Sequence, residues 1–142
     1  MKTSQLVKNY GGTTIKILTR SGRHAQQFVP QDGELEGSVI NSAVQARNDL
    51  IEEKYGIIIE IEMTTRPGTD IGLSIQGGTS DYQIVCDSVN AMVKHITDNW
   101  FYSLNDLLDL EQPWWDQNAC NQLTLSDKKF FVAGNAIFQD DN

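Results

Sequence analysis

The feature that most constrains this chain is the junction at Tyr55-Gly56. Before it, "VINSAVQARNDLIEEK" (39–54) carries apolar residues at helical spacing, and after it "IIIEIEMTT" (57–65) is a β-branched run. Gly56 can take the left-handed conformation that stops a helix and lets a strand begin at once. Upstream, "TTIKILTR" (13–20) gathers Ile15, Ile17 and Leu18 in another β-rich run. Strand, loop, helix and strand in this order make a βαβ unit with parallel strands and a right-handed crossover.

The rest of the chain extends that unit. The polar stretch 21–37 is a long loop of the kind that usually has a purpose. Ser38 can cap the helix, whose Ile40, Ala43, Val44, Leu50 and Ile51 predict a buried face, with Asn41, Gln45, Asn48, Glu52 and Glu53 outward. Pro67-Gly68 turns the chain, and "TDIGLSIQ" (69–76) reads as a helix weakened by Gly72. "YQIVCDS" (82–88) predicts a third strand centred on Ile84 and Val85. "VNAMVKHITDNW" (89–100) predicts a helix with Val89, Met92, Val93 and Ile96 on one face. The order β-α-β-α-β-α is that of an open doubly wound sheet. After Trp100, "FYSLNDLLDLEQPWWDQN" is rich in apolar residues with room for two short helical turns. A hairpin is expected beyond it, Gln122–Leu125 against Lys129–Val132, turning at Ser126-Asp127-Lys128. Residues 1–13 read as a flexible tail and 14–142 as one α/β domain.

Charge narrows the function. The chain has 11 basic against 19 acidic residues, a net charge of −8, and no basic stripe. Such a surface repels phosphate backbones, so nucleic acid is not an expected partner. No apolar run approaches the ~20 residues of a membrane span, and polar residues break "MKTSQLVKNYGGTT" as a signal peptide. Cys86 and Cys120 are the only cysteines and are expected to be reduced; with His24 and His95 they show no metal-ligand spacing. No metal and no cofactor are expected.

Catalytic motifs are missing from the sequence. "IQGGTSD" and "YGGTT" match neither a P-loop nor a dinucleotide fingerprint, and read as turn glycines. There is no GxSxG elbow, and neither histidine has motif context. Strand ends are better placed, because open α/β sheets present ligands at the carboxyl ends of their strands. Thr19, Arg20 and Ser21 follow the first strand and Asp87 and Ser88 the third. Ser88 could equally cap the helix that follows. The pair Trp114-Trp115, behind Pro113, admits two readings: a packed loop staple or a stacking platform for a sugar ring.

Several stretches in fixed order carry a resemblance. "GSVINSAVQARNDLIEEKYGIIIEIE", "SDYQIVCDS" and "NWFYSLNDLLDLEQPWWDQNACNQLTLSDKKFFVAGN" resemble the extracellular solute-binding proteins of bacterial ABC importers. They look most like the carbohydrate-type lipoproteins of that family, from about Thr14 to Asn135. Gln83 departs from the family pattern, which usually has Asp there. The spacing from "SLNDLLDL" to the tryptophans is also short, and family members are several times longer, with two lobes. The resemblance implies a periplasmic-binding-protein-like half lobe, a three-layer sandwich with a mainly parallel sheet of order 2-1-3 and the hairpin beside strand three. It implies capture of a sugar-like solute for an ABC permease, extracellular and without covalent chemistry, in a fragment that binds weakly. Thr19, Arg20, Ser21, Asp87, Ser88, Gly134 and Asn135 would then hydrogen-bond the ligand. Trp114 and Trp115 would be mostly core, at best reaching the cleft rim. The open edge at "KKFFVAG" (128–134) leads to an expected homo-oligomer through the hairpin. The rival reading is a stand-alone oligomeric interaction protein that binds no ligand.

Overall fold

A computed structural model describes residues 8–30, 39–79 and 81–130. The chain divides into two compact units, residues 1–87 and 88–142. Each is taken by itself.

The first unit is α/β. Strand β1 (Thr13–Arg20) leads through a 3-10 turn (Ala25–Gln27) to helix α1 (Val39–Tyr55) and strand β2 (Ile57–Thr64). Helix α2 (Pro67–Gln76) and strand β3 (Ile84–Cys86) follow. The three strands form one parallel sheet in the order β2-β1-β3, the order the resemblance implies. Thr13 to Arg20 pair with Ile57 to Thr64 in register, and Ile17 to Thr19 pair with Ile84 to Cys86. Successive side chains of a strand point to opposite faces, yet Ile17, Leu18 and Thr19 are all buried. Both faces of the central strand are therefore covered at its carboxyl half.

Gly56 behaves as expected. Its φ of +59° ends α1, and a Cβ there would collide with the Asn9 side chain. Residues 8–12, before β1, are more ordered than a tail. Tyr10 N–H donates to Tyr55 O at 2.8 Å and Gly12 N–H to Gly56 O at 2.6 Å, so they close the end of α1.

The buried face of α1 differs from the expected one. Val44 is buried and Ile51 half-buried as predicted, but Ile40, Ala43 and Leu50 are exposed while Asn41 is buried and Asn48 half-buried. The inward polar residues have backbone work to do. Asn48 Nδ2 donates to Phe28 O at 2.8 Å, and Glu52 Oε1 accepts the Ile59 N–H at 2.7 Å on the free edge of β2. Hydrophobic counting misses such positions because a polar side chain with a backbone partner can be buried at little cost. Ser38 lies outside the described residues.

Helix α2 begins at Pro67, two residues earlier than expected. Proline at the first turn loses no helical bond, so what reads as a turn in the sequence is the helix start. Strand β3 is shorter than expected, and Gln83 completes it: its N–H donates to Lys16 O at 3.0 Å while its side-chain Oε1 accepts the Lys16 N–H at 2.7 Å.

In the second unit, α3 (Val89–Met92) passes into a 3-10 turn (Val93–His95), and α4 (Gln117–Gln122) precedes strands β4 (Thr124–Leu125) and β5 (Lys128–Lys129). The long helix expected over 89–100 does not form. Val93, Ile96, Thr97 and Asn99 are weak helix formers, and Asn99 takes a left-handed φ of 59°. The hairpin is present but tighter than expected. Ser126 and Asp127 both have positive φ, 49° and 64°, the pattern of a two-residue type I′ turn. Among the described residues it forms its own two-stranded sheet and is not an extension of the parallel one. Its outer edge is also occupied. Lys129 O accepts the Leu104 N–H at 2.7 Å, and Lys129 N–H donates to Asn105 Oδ1 at 2.8 Å. The described part of the edge expected to be open is thus paired within the chain, and residues 131–134 lie outside the described residues.

Candidate functional site

The strand order reverses between β1 and β3, since the chain leaves β1 toward β2 and then crosses back. In open α/β sheets, that is where a crevice forms at the carboxyl ends. Arg20, the last residue of β1, and Asp87, just past β3, meet there. Arg20 Nε donates to Asp87 Oδ1 at 2.5 Å and Nη2 to Oδ2 at 2.9 Å, a bidentate pair. Nη1 donates to Thr65 O at 2.7 Å, tying the group to the end of β2 as well. The Asp87 side chain has no exposed area, while the Arg20 side chain keeps 35%. The hydrogen bond to Asp87 raises the Arg20 pKa against the opposing effect of burial, so the guanidinium stays charged. Three of its five N–H groups are committed, leaving two for a ligand oxygen.

The other predicted residues separate. Thr19 points to the face opposite Arg20 and is completely buried, its hydroxyl only 3.4 Å from Arg20 O, so it packs in the core and cannot touch a ligand. Ser21 is half-buried beside the pair, its N–H held by Thr64 O at 2.9 Å. Ser88 is exposed in the second unit; its carbonyl accepts from Ala91 and Met92, and its side chain makes no cap bond. Gly134 and Asn135 lie outside the described residues. Trp115 is half-buried and its indole N–H reaches Asp109 O at 3.1 Å. Trp114 is not core: it is 54% exposed. Proline and an anchored neighbour hold the loop, so the second ring is not needed for packing.

A second polar group on the same face as Arg20 escaped the sequence reading. Lys16 Nζ lies 3.1 Å from Glu62 Oε2 and 5.2 Å from the centre of the Tyr82 ring, and the Tyr82 hydroxyl donates to Glu62 Oε1 at 2.9 Å. Burial, then Glu62, pushes the Tyr82 hydroxyl up to about 12. Nearby, Thr79 and Ser74 hydroxyls at 2.6 and 2.9 Å hold the Asp81 carboxyl below its ordinary value. Only the strand alternation of Lys16 and Glu62 hinted at a shared face, and alternation is also what a solvated face looks like.

These groups are of the kind that can hold and orient a polar ligand, and the one thiol beside them is not activated. Burial, with the charge of Asp87 adding, pushes the Cys86 thiol up to about 11, which leaves it protonated and inert. Cys86 and Cys120 are free thiols. Among the described residues no three ligand-type side chains could hold a metal, and no helix is long and apolar enough to cross a membrane. In the second unit, His95 stacks on Trp100 with centroids 4.3 Å apart and sits 3.0 Å from Asp98.

Comparison with known proteins matches the chain to no family model, no curated protein and no solved structure.

Proposed function

We propose that this chain captures a small polar solute, most simply a sugar, as part of an extracellular solute-binding protein that serves an ABC permease. The observation that carries the reading is the Arg20–Asp87 fork, fixed at the reversal of a parallel sheet with two spare N–H donors and partial exposure. A rigid charged donor of this kind suits hydroxyl and carboxylate oxygens, and its geometry needs no reorganisation on binding. The sequence resemblance to carbohydrate-type binding proteins supports the same reading and gives it a three-layer, periplasmic-binding-protein-like form. In the second unit, taken by itself, the exposed Trp114 ring is an apolar face of the type a pyranose stacks on.

The Arg20 side chain keeps 35% of its surface exposed, whereas pockets usually enclose ~70–90% of a small ligand. Binding is accordingly weak, in the millimolar range, or ~4 kcal/mol. Titration calorimetry against a panel of neutral and acidic sugars tests this. A saturable heat that Arg20→Lys diminishes supports the reading, and no saturable heat at tens of millimolar for any sugar removes it.

A further inference from the structure

Helix α1 carries apolar residues on two sides. Asn41, Val44, Asn48, Ile51 and Tyr55 make the side turned inward, buried or half-buried. At about 100° per residue, Val39, Ala43, Ala46 and Leu50 form a second row roughly 150° around the helix. All four are exposed, Val39 by 87% and Leu50 by 61%, and Ile40 beside them by 64%. Their four-three-four spacing is that of a helix–helix seam. Single exposed apolar residues are ordinary, but a row at seam spacing is a contact surface.

We propose that this row is a self-association surface, on which α1 of a second copy of this chain packs antiparallel about a two-fold axis. The case for a second copy is that the row is its own complement. Its order is large, small, small, large, and it reads the same from either end. An antiparallel neighbour sets Val39 against Leu50 of the partner subunit and Ala43 against Ala46 of the partner subunit. The paired alanines let the axes approach to about 8 Å, the close end of helix packing. The antiparallel sense also opposes the two helix dipoles favourably.

The flanks agree with this register. Ser42 falls beside Asp49 of the partner subunit, and Ile40 lies along the aliphatic stem of Arg47 of the partner subunit, so among the described residues of this register no like charges face each other. Asp49 uses Oδ1 for Gln45 Nε2 at 2.7 Å, which leaves Oδ2 for the incoming hydroxyl. One helical row covers less than the ~800 Å² per partner of a standard interface, so the association is a weak one. It is independent of the solute-binding reading.

Sedimentation velocity on the full chain, from a few to several hundred micromolar, tests the surface. A concentration-dependent monomer–dimer equilibrium is expected, weakened about tenfold or more by Leu50→Glu and by Ala46→Glu. Both side chains are exposed, so each variant should keep the wild-type melting temperature at low concentration. A monomer at every concentration overturns the proposal. So does a dimer that either variant leaves intact.

Discussion

The first unit is held by a long ladder and a core, while the second, which also buries Met92, Ile96, Leu110 and Cys120, has only a short ladder and leans more on individual polar links. In the first, three parallel strands share a continuous register, and Leu18 at the centre has no exposed surface. In the second, the ladder has two residues per strand, and side chains bond backbone one at a time. Asp116 caps Ala119 at 2.9 Å, Gln117 reaches Leu110 O at 2.8 Å, and Asn105 bridges Asp127 O and the Lys129 N–H at 2.9 and 2.8 Å. A net hydrogen bond contributes ~0.5–1.5 kcal/mol, whereas burying a large apolar side chain contributes more and couples to its neighbours. The difference teaches where each unit is vulnerable: both to cavities in their buried residues, and the second, with so short a ladder, also to the loss of single polar side chains.

The largest test is Leu18→Ala. Leu18 is fully buried in the central strand, so the change should cost ~3–4 kcal/mol, the lost transfer plus an unfilled cavity. Urea unfolding measures the cost, and hydrogen exchange shows whether β1 and β2 lose protection first. A change below ~1 kcal/mol would mean that the sheet is not the seat of stability.

Next is Asp87→Ala. It leaves the Arg20 guanidinium without its bidentate partner, and breaking a buried pair from one side costs ~3 kcal/mol here, the low end of the usual range because Arg20 is a third exposed. Arg20→Ala should cost a similar amount, and the double variant should cost less than the sum. Additive losses would show that the two groups act separately.

Alkaline titration sharpens the contrast from another side. The folded pKa is raised for both the Tyr82 hydroxyl, to about 12, and the Cys86 thiol, to about 11. Each group therefore holds its proton more tightly when folded. Their stabilisation is complete below the unfolded values near 9 to 10 and is lost as pH rises toward 11 to 12. Both lie in the first unit, so its exchange protection should fall first as pH rises. Tyr82→Phe combined with Cys86→Ala should flatten that loss, and a pH profile identical to wild type would contradict it.

How much of this was legible follows the same division. The parallel pair could be read because Ile15–Leu18 and Ile57–Ile61 announce themselves as β-rich runs on either side of a helix stopped by Gly56, whereas the order 2-1-3 came with the resemblance. The meeting of Arg20 with Asp87 was half legible. Both were placed at strand ends, but strand ends alone do not say that two candidates will bind each other instead of a ligand. Asn48, Glu52 and Gln83 were illegible, because their partners are backbone groups distant in sequence or offered only by a particular register. The same holds for Asn105, whose two bonds to the hairpin lie 22 and 24 residues away.

Asn105→Ala should therefore matter more than its exposed position suggests. It removes the acceptor for the Lys129 N–H and the donor to Asp127 O, for about 1–2 kcal/mol in total. The loss should appear as faster exchange confined to the hairpin and the 104–105 segment. A global loss shared by the first unit would erase the distinction drawn between the two.

The smallest expected effect falls on Trp114. Trp114 is 54% exposed and its neighbour Trp115 is anchored through Asp109 O, so the two adjacent rings should respond differently to the same truncation. Trp115→Ala loses a half-buried ring and a hydrogen bond, and should cost ~2 kcal/mol, less than a fully buried aromatic. Trp114→Ala should stay within ~0.5 kcal/mol, as for surface substitutions. Intrinsic fluorescence gives an independent reading, since removing the more exposed indole should shift the remaining emission to shorter wavelength. If Trp114→Ala proves the costlier of the two, its ring is covered in solution and is no platform for a ligand. If it is silent for stability but abolishes a sugar-dependent fluorescence change, the ring's exposure serves binding.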